Sequence, residues 1–376
     1  MQRLVFDVFC RVIDNYGDAG IALRLARQLA AEHACRVTLW IDDLDVLHRV
    51  LSATGPGEGV RIRDVSSADA GTGAPLPDAV LDVFGCGLPS AYLSAMQRSA
   101  RPPAWIVLEY LSAEAWVEGI HGLPSPHPRS GLARWFFFPG YTEQTGGLIR
   151  ERGLLDHRDR YARLHDARSR EWTSHGWPMP SPETLLVSLF SYENAALGAL
   201  LATWRDDIPP VACIVPDGVA TGAITECFGS LSVGEHRTIG SLSLGIAPFV
   251  DQQAFDHRLW ACDVAFVRGE DSFVRAQWAA KPLVWDIYAQ SAGAHLVKLD
   301  AFLDRYTASC NGDAADSVRA FNRAFASQHG LAAAHAWRTF RDALPSIEAH
   351  ARRWSAMLAA QSDLATRLMA FVRERL

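Results

Sequence analysis

A chain of 376 residues with 49% hydrophobic and 21% charged side chains is too apolar for a disordered protein and longer than one hydrophobic core commonly supports, so two ordered domains are expected. A formal net charge of −6 leaves no basic footprint and argues against a nucleic-acid partner. No apolar run is long enough to span a bilayer, no basic and apolar leader follows Met1, and the seven cysteines show neither a CxxC pair nor zinc spacing. The expectation is a cytoplasmic protein with no membrane partner, whose thiols are small buried hydrophobes in a reducing compartment.

Apolar strand-like runs alternate with helical periodicity along the chain, the pattern of βαβ units on a parallel sheet. Leu4–Cys10 reads as a first strand, Ile21–Ala31 as a helix with Leu23, Leu25, Ala26 and Leu29 inward, and Val37–Ile41 as a second strand. The run Asp42-Asp43-Leu44-Asp45 reads as a helix start, its carboxylates suited to the positive end of the dipole. Val80–Phe84 and Ile106–Leu108 are further strands, and Ser66–Pro77 and Gly122–Gly131 are loops rich in Gly and Pro. Thr173–Glu183 has no usable periodicity and reads as a linker. Beyond it come strands at Leu185–Leu189, Val211–Val215, Val264–Val267 and Leu283–Trp285, with helices at Ala195–Trp204, Gln253–Ala261 and Phe273–Ala280 between them. After Pro345 the tail Ile347–Arg375 reads as one long amphipathic helix that returns to the first half. The expected fold is α/β: two Rossmann-like domains facing across a cleft, residues 1–175 and 184–346, with 347–376 packing back on the first.

Two turns carry chemistry. In Val264–Gln290 a buried strand runs into Arg268-Gly-Glu270-Asp271-Ser272 and then a helix. Ligands of a parallel sheet bind beyond the strands' carboxyl ends, where a following helix offers free N–H groups and a positive dipole end to phosphate. These residues suit a phosphorylated, hydroxyl-rich ligand such as a nucleotide sugar; the alternative is a helix cap made by Asp271 or Ser272 with Arg268 paired locally. The first strand leads into Asp14-Asn-Tyr-Gly17-Asp18-Ala-Gly20. Two carboxylates here, with no full GxGxxG and no P-loop lysine, disfavour dinucleotide binding and fit a general base or a grip on a cation. The alternative is Asp18 as the cap of a helix beginning near Ala19 and Asp14 as a turn former. No metal is expected: no DxD follows a strand, and the histidines show no HExxH pairing. His121, His127 and His157 read as exposed.

The strings FCRVIDNYGDAG and FVRGEDSFVRAQWAAKPLVWDIYAQ, with SLFSYEN and PFVDQQAFDHRLWACD between them, closely resemble the bacterial elongation factor P arginine rhamnosyltransferases, the EarP family, along the whole chain. The resemblance implies a GT-B glycosyltransferase fold, an inverting reaction, dTDP-β-L-rhamnose as donor and one arginine of elongation factor P as acceptor, with no cofactor. By the same resemblance the donor site comprises Phe190, Tyr192, Phe249, Arg268, Glu270, Asp271 and Ser272, and the family's aspartates fall on Asp14 and Asp18. Phe190 and Phe249 would flank the thymine, Gln253 would bond its edge or lie on a plain surface helix, and Tyr192 or Ser272 would reach the diphosphate. Asp18 is the expected base, Asp14 its partner in gripping the guanidinium, and Glu270 catalytic support. Alternatives are a GT-B enzyme for another nucleotide sugar or acceptor, or a non-catalytic nucleotide-sugar-binding protein.

Overall fold

The computed structural model describes residues 3–13, 16–51, 55–70, 75–219, 221–290 and 293–376, without the side chains of residues 69, 70 and 221. Asp14 therefore lies outside the described residues. The chain divides into two compact units, residues 1–152 with 358–376, and residues 153–357.

The first unit runs β1 (Val5–Cys10), α1 (Tyr16–His33), β2 (Arg36–Ile41), α2 (Leu44–Val50), β3 (Val60–Asp64), β4 (Ala79–Val83), α3 (Ser90–Arg98), β5 (Ala104–Leu108), α4 (Trp116–Ile120), β6 (Pro124–Pro126) and β7 (Ala133–Phe137). Its sheet has the order β3-β2-β1-β4-β5-β7-β6, parallel except where β6 pairs with β7. β1, β4 and β5 are buried on both faces, as central parallel strands must be, and are apolar apart from Asp7 and Asp82. α1 is buried along almost its whole length from Asp18 to Ala30, because helices cover it as well as the sheet. As expected, Asp43 caps α2, its carboxylate accepting from Val46 N–H at 2.9 Å.

The second unit runs α5 (Leu154–Ala162), α6 (Ala167–Thr173), β8 (Leu185–Leu189), α7 (Leu197–Arg205), β9 (Val211–Pro216), α8 (Thr221–Phe228), β10 (His236–Ile239), β11 (Leu242–Ala247), α9 (Gln252–Ala261), β12 (Val264–Arg268), α10 (Asp271–Ala279), β13 (Leu283–Asp286), α11 (Ala294–Thr307), α12 (Gly312–Ala326), α13 (Gly330–Asp342) and α14 (Leu344–Ala359). Its sheet has the order β10-β11-β9-β8-β12-β13, parallel except for the β10–β11 hairpin. The chain then returns to the first unit as α15 (Leu364–Arg373), capped by Asp363.

Three sequence expectations are corrected. The first domain ends at Arg152 rather than at residue 175, because α5 and α6 are built into the second unit. Tyr161 and His157 pack their rings on His257 and Trp260 of α9, and Glu171 accepts from the buried Arg258 at 2.9 Å. Thr173–Glu183 is therefore no linker. Trp172 and Trp177 are 1% and 4% exposed and join Leu186, Ala212, Ile214, Ala247 and Cys262 in one core. A side chain on Gly245 of β11 would lie 2.4 Å from the Trp177 ring, so glycine lets the indole lie against the strand. The tail, expected to pack back from residue 347, instead stays with the second unit to Met357. There Trp354 donates to Gln277 at 3.0 Å and His350 bonds the Tyr306 carbonyl at 2.6 Å. It breaks before Asp363, and only α15 crosses back.

Smaller differences follow. α1 starts at Tyr16 rather than Ile21. Gly122–Gly131 contains β6, and β3, β10 and β11 are strands that the sequence reading passed over. His121, His127 and His157 are half-buried; His121 Nδ1 accepts from Phe138 N–H at 3.0 Å.

Candidate active site

In the second unit the strands run outward in opposite directions from β8 and β12, so the switch point of this doubly wound sheet lies between their carboxyl ends. In such sheets ligands bind there. Phe190 directly follows β8, Tyr192 lies two residues on, and Arg268 ends β12. The structure brings the three together: the Arg268 guanidinium carbon lies 4.5 Å from the Phe190 ring centre and 4.9 Å from that of Tyr192. Two aromatic faces hold the flat cation by attraction to their π clouds and fix its direction; one guanidinium nitrogen reaches Ser191 O at 3.5 Å, and a guanidinium has further donors to offer an anion. Phe255 of α9 packs edge-on against Phe190 at 5.4 Å.

Gly269 then turns the chain with φ of 61°, a left-handed conformation that glycine adopts without Cβ strain. Glu270 is the cap residue of α10, and its side chain makes no capping bond, so the first amides of this helix keep the positive end of its dipole. Ser272 is buried, its hydroxyl bonded to the Arg268 carbonyl and accepting from Arg268 N–H at 3.1 Å. Its hydroxyl thus staples the turn. Asp271 sits in the first helical turn, where Gln252 Nε2 approaches its carboxylate at 3.4 Å. Gln253, next to Gln252, is exposed on α9, and Phe249 is half-buried two residues past β11. Trp285 stacks on Phe273 at 3.8 Å and donates to Gly269 O at 2.9 Å, supporting the turn from beneath.

One residue of this site escaped the sequence reading. Asp286 ends β13 in register with Arg268, 4% exposed. Its carboxylate accepts from Tyr192 N–H at 2.7 Å and from Asn194 Nδ2 at 3.1 Å. Burial pushes its pKa up to about 7 despite those bonds and the nearby Arg268 charge.

In the first unit the strand order reverses between β1 and β4, so the carboxyl end of β1 borders that switch point. Asp18 is 3% exposed in the first turn of α1, where a negative charge suits the dipole. It is not the helix cap that the alternative reading proposed: its Oδ2 reaches back to accept from Ile13 N–H at 2.8 Å, tying the chain before the helix to the helix itself. Nearby Asp42 accepts from Val12 N–H at 2.9 Å, a second acidic anchor of the same turn.

Among the described residues no group of three or more His, Cys, Asp or Glu side chains is arranged to hold a metal ion, and no helix is long and apolar enough to cross a membrane. The chain is 44% identical to a protein-arginine rhamnosyltransferase of Pseudomonas putida, over the full length of both. It superimposes with a TM-score of 0.71, at 35% identity and over the whole of both chains, on a protein solved in work on the structural basis for EarP-mediated arginine glycosylation of translation elongation factor EF-P. A glycosyltransferase from Rickettsia africae, 9% identical with a TM-score of 0.55 over 100% of this chain and 99% of that one, shares the fold alone. The family model described as elongation factor P (EF-P) rhamnosyltransferase EarP matches residues 6–373, and with these relatives it shows that the chain belongs to that family of protein-arginine rhamnosyltransferases, enzymes of the GT-B glycosyltransferase fold.

Proposed function

We propose that this enzyme transfers L-rhamnose from dTDP-β-L-rhamnose to a single arginine of translation elongation factor P, in the cytoplasm, by an inverting single displacement. The observation that carries the donor half is Arg268, held between Phe190 and Tyr192 at the head of α10. A leaving dTDP gains negative charge as its bond to the sugar breaks. A guanidinium fixed in advance, beside the positive end of a helix dipole, stabilises that charge more in the transition state than in the ground state. Phe249 is assigned to the thymine face and Gln253 to its edge, Asp271 and Ser272 hold the diphosphate turn, and Glu270 faces the sugar hydroxyls as catalytic support.

The acceptor half rests on Asp18, with Asp14 as its partner. Arginine's guanidinium stays protonated far above neutral pH, so no carboxylate deprotonates it beforehand and proton removal accompanies attack. Carboxylates first grip the guanidinium through charge-assisted bonds, and one takes the proton as the nitrogen bonds to the anomeric carbon from the face opposite dTDP. That geometry inverts the anomeric centre. No metal takes part in this scheme.

The test is the intact mass of elongation factor P after incubation with this enzyme and dTDP-rhamnose, followed by fragmentation. One added deoxyhexose on one arginine is expected. An unmodified acceptor, or transfer from UDP-GlcNAc with none from dTDP-rhamnose, overturns the proposal.

A further inference from the structure

Asp286 poses a problem that packing does not solve. Its carboxylate is almost fully buried, in register beside Arg268, under a turn read above as a diphosphate site. A second negative charge there works against an anionic ligand, and burying a carboxylate costs more than burying an apolar residue of similar size. What it secures is visible in the strand order. β12 lies between β8 and β13, yet Asp286 at the end of β13 accepts from Tyr192 N–H and Asn194 Nδ2, both in the connection that leaves β8. The carboxylate therefore spans the end of β12 and ties the two flanking strands' ends together. Asn194 extends the tie: its Oδ1 accepts from Ala196 N–H at 2.9 Å, and its Nδ2 also donates to Phe325 O of α12 at 3.1 Å.

The segment so held carries Phe190 and Tyr192, the rings on either side of Arg268. Resting on the donor assignment above, we propose that Asp286 is a positioning residue for the donor: by clamping the segment from Phe190 to Asn194 it holds the two rings that aim the Arg268 guanidinium at the diphosphate. The raised pKa agrees with this placement, since a buried charge of this cost is retained where it fixes geometry.

The test is steady-state kinetics of Asp286→Ala and Asp286→Asn with dTDP-rhamnose varied at saturating acceptor. The alanine variant is expected to raise the donor KM and lower kcat together, for a loss of about tenfold or more in kcat/KM, because a misaimed Arg268 gives up both diphosphate binding and the extra stabilisation of the leaving charge in the transition state. Asparagine keeps one acceptor oxygen and is expected to recover part of the loss. A donor KM unchanged in both variants, or a fall in kcat at constant KM, overturns the clamp. Arg268→Ala run alongside separates the two readings. If it leaves donor KM unaltered, the donor site itself is misassigned; if it raises donor KM while Asp286→Ala does not, only the clamp fails. Should Asp286→Ala not fold, the asparagine variant alone decides, a donor KM equal to that of the wild type being the negative result.

Discussion

Asp18 already gives one carboxylate oxygen to Ile13 N–H, so asparagine at this position keeps an acceptor for that bond and removes the charge and the basicity. Asp18→Asn is expected to lower the transfer rate by roughly 10²–10⁴, the usual worth of a positioned general base, while dTDP binding measured by calorimetry stays as in the wild type. A variant that transfers sugar at the wild-type rate would remove Asp18 as the base. Arg268→Lys tests the cation of the second unit. Lysine keeps the charge but loses the flat surface that Phe190 and Tyr192 grip, and about a tenfold weaker dTDP affinity is expected from losing the planar stacking and the fixed direction of the donors. Asp286 adds a pH signature. Its folded pKa of about 7 lies above the ordinary 3.8, so the native state holds this proton more tightly than the unfolded chain does. Its contribution to stability is greatest below the unfolded value and is lost as pH rises through the folded one. Thermal melts of the wild type and Asp286→Asn at pH 5 and pH 8 should therefore differ most in favour of the wild type at pH 5. A difference that does not change with pH would contradict the buried charge. Asp18 and Arg268 stood out because each lies at a junction of a strand with the following helix, Asp18 in the first turn of α1 and Arg268 at the end of β12, a local pattern. Asp286 was not, since a lone aspartate at a strand end reads as solvated until the strand order places β12 between it and its partners.

The elements most plainly written in the chain were those buried on both faces, such as β1, β8 and β12, which are apolar but for Asp7, Ser188 and the terminal Arg268. β3 was missed because Val60-Arg-Ile-Arg-Asp alternates apolar and charged at the sheet's edge, and five such residues resemble a loop as much as a strand. The short β10–β11 hairpin turns at Gly240, and its first strand, with no fully buried residue, carries almost no apolar signal. The tail was read as one helix because its apolar stripe continues in phase. Asp363 ends that continuity by capping a new helix, its carboxylate accepting from Thr366 N–H at 3.0 Å. His121 shows how an element junction takes on a chemical property. Its ring lies 4.6 Å from that of Phe137 on β7 and 6.4 Å from that of Phe371 on α15. Burial there, with Arg367 nearby, pushes its pKa down to about 4. Because the fold prefers the neutral ring, this contribution is fully present above the unfolded value near 6.5 and is lost as pH falls towards 4. His121→Gln should lose less stability than the wild type when melts at pH 7 and pH 4.5 are compared, and equal losses would show that the imidazole does not titrate as its surroundings imply.

At the scale of the molecule, the alternation of strands and helices declared two α/β halves, and the doubly wound sheets agree. The boundary was misread because proline and glycine between Thr173 and Glu183 signal a linker only when no large side chain nearby is buried, and Trp172 and Trp177 are both core. Composition cannot report that. The return of the chain's end to the first unit was legible in the amphipathic tail after Pro345, but not its starting point: the unit is assembled from residues 1–152 and 358–376, not from residue 347 onward. α15 supplies Leu364, Ala365, Leu368, Met369 and Val372, all buried, and packs on α1. Gln28 of α1 donates to Asp363 at 3.0 Å and to Arg150 O at 2.7 Å, so the polar rim of this contact also joins the two stretches. α1 is the helix that carries Asp18, so its support is supplied by the last residues of the chain. Leu368→Ala leaves a cavity against α1 and is expected to cost the first unit about 2–5 kcal/mol, the range for a buried leucine cut to alanine. Peptide-resolved hydrogen exchange reads the consequence: faster exchange across residues 3–152, α1 above all, with residues 153–357 unchanged. Equal acceleration in both stretches would mean that the chain unfolds as one body, and that the support of Asp18 is not confined to the unit that holds it.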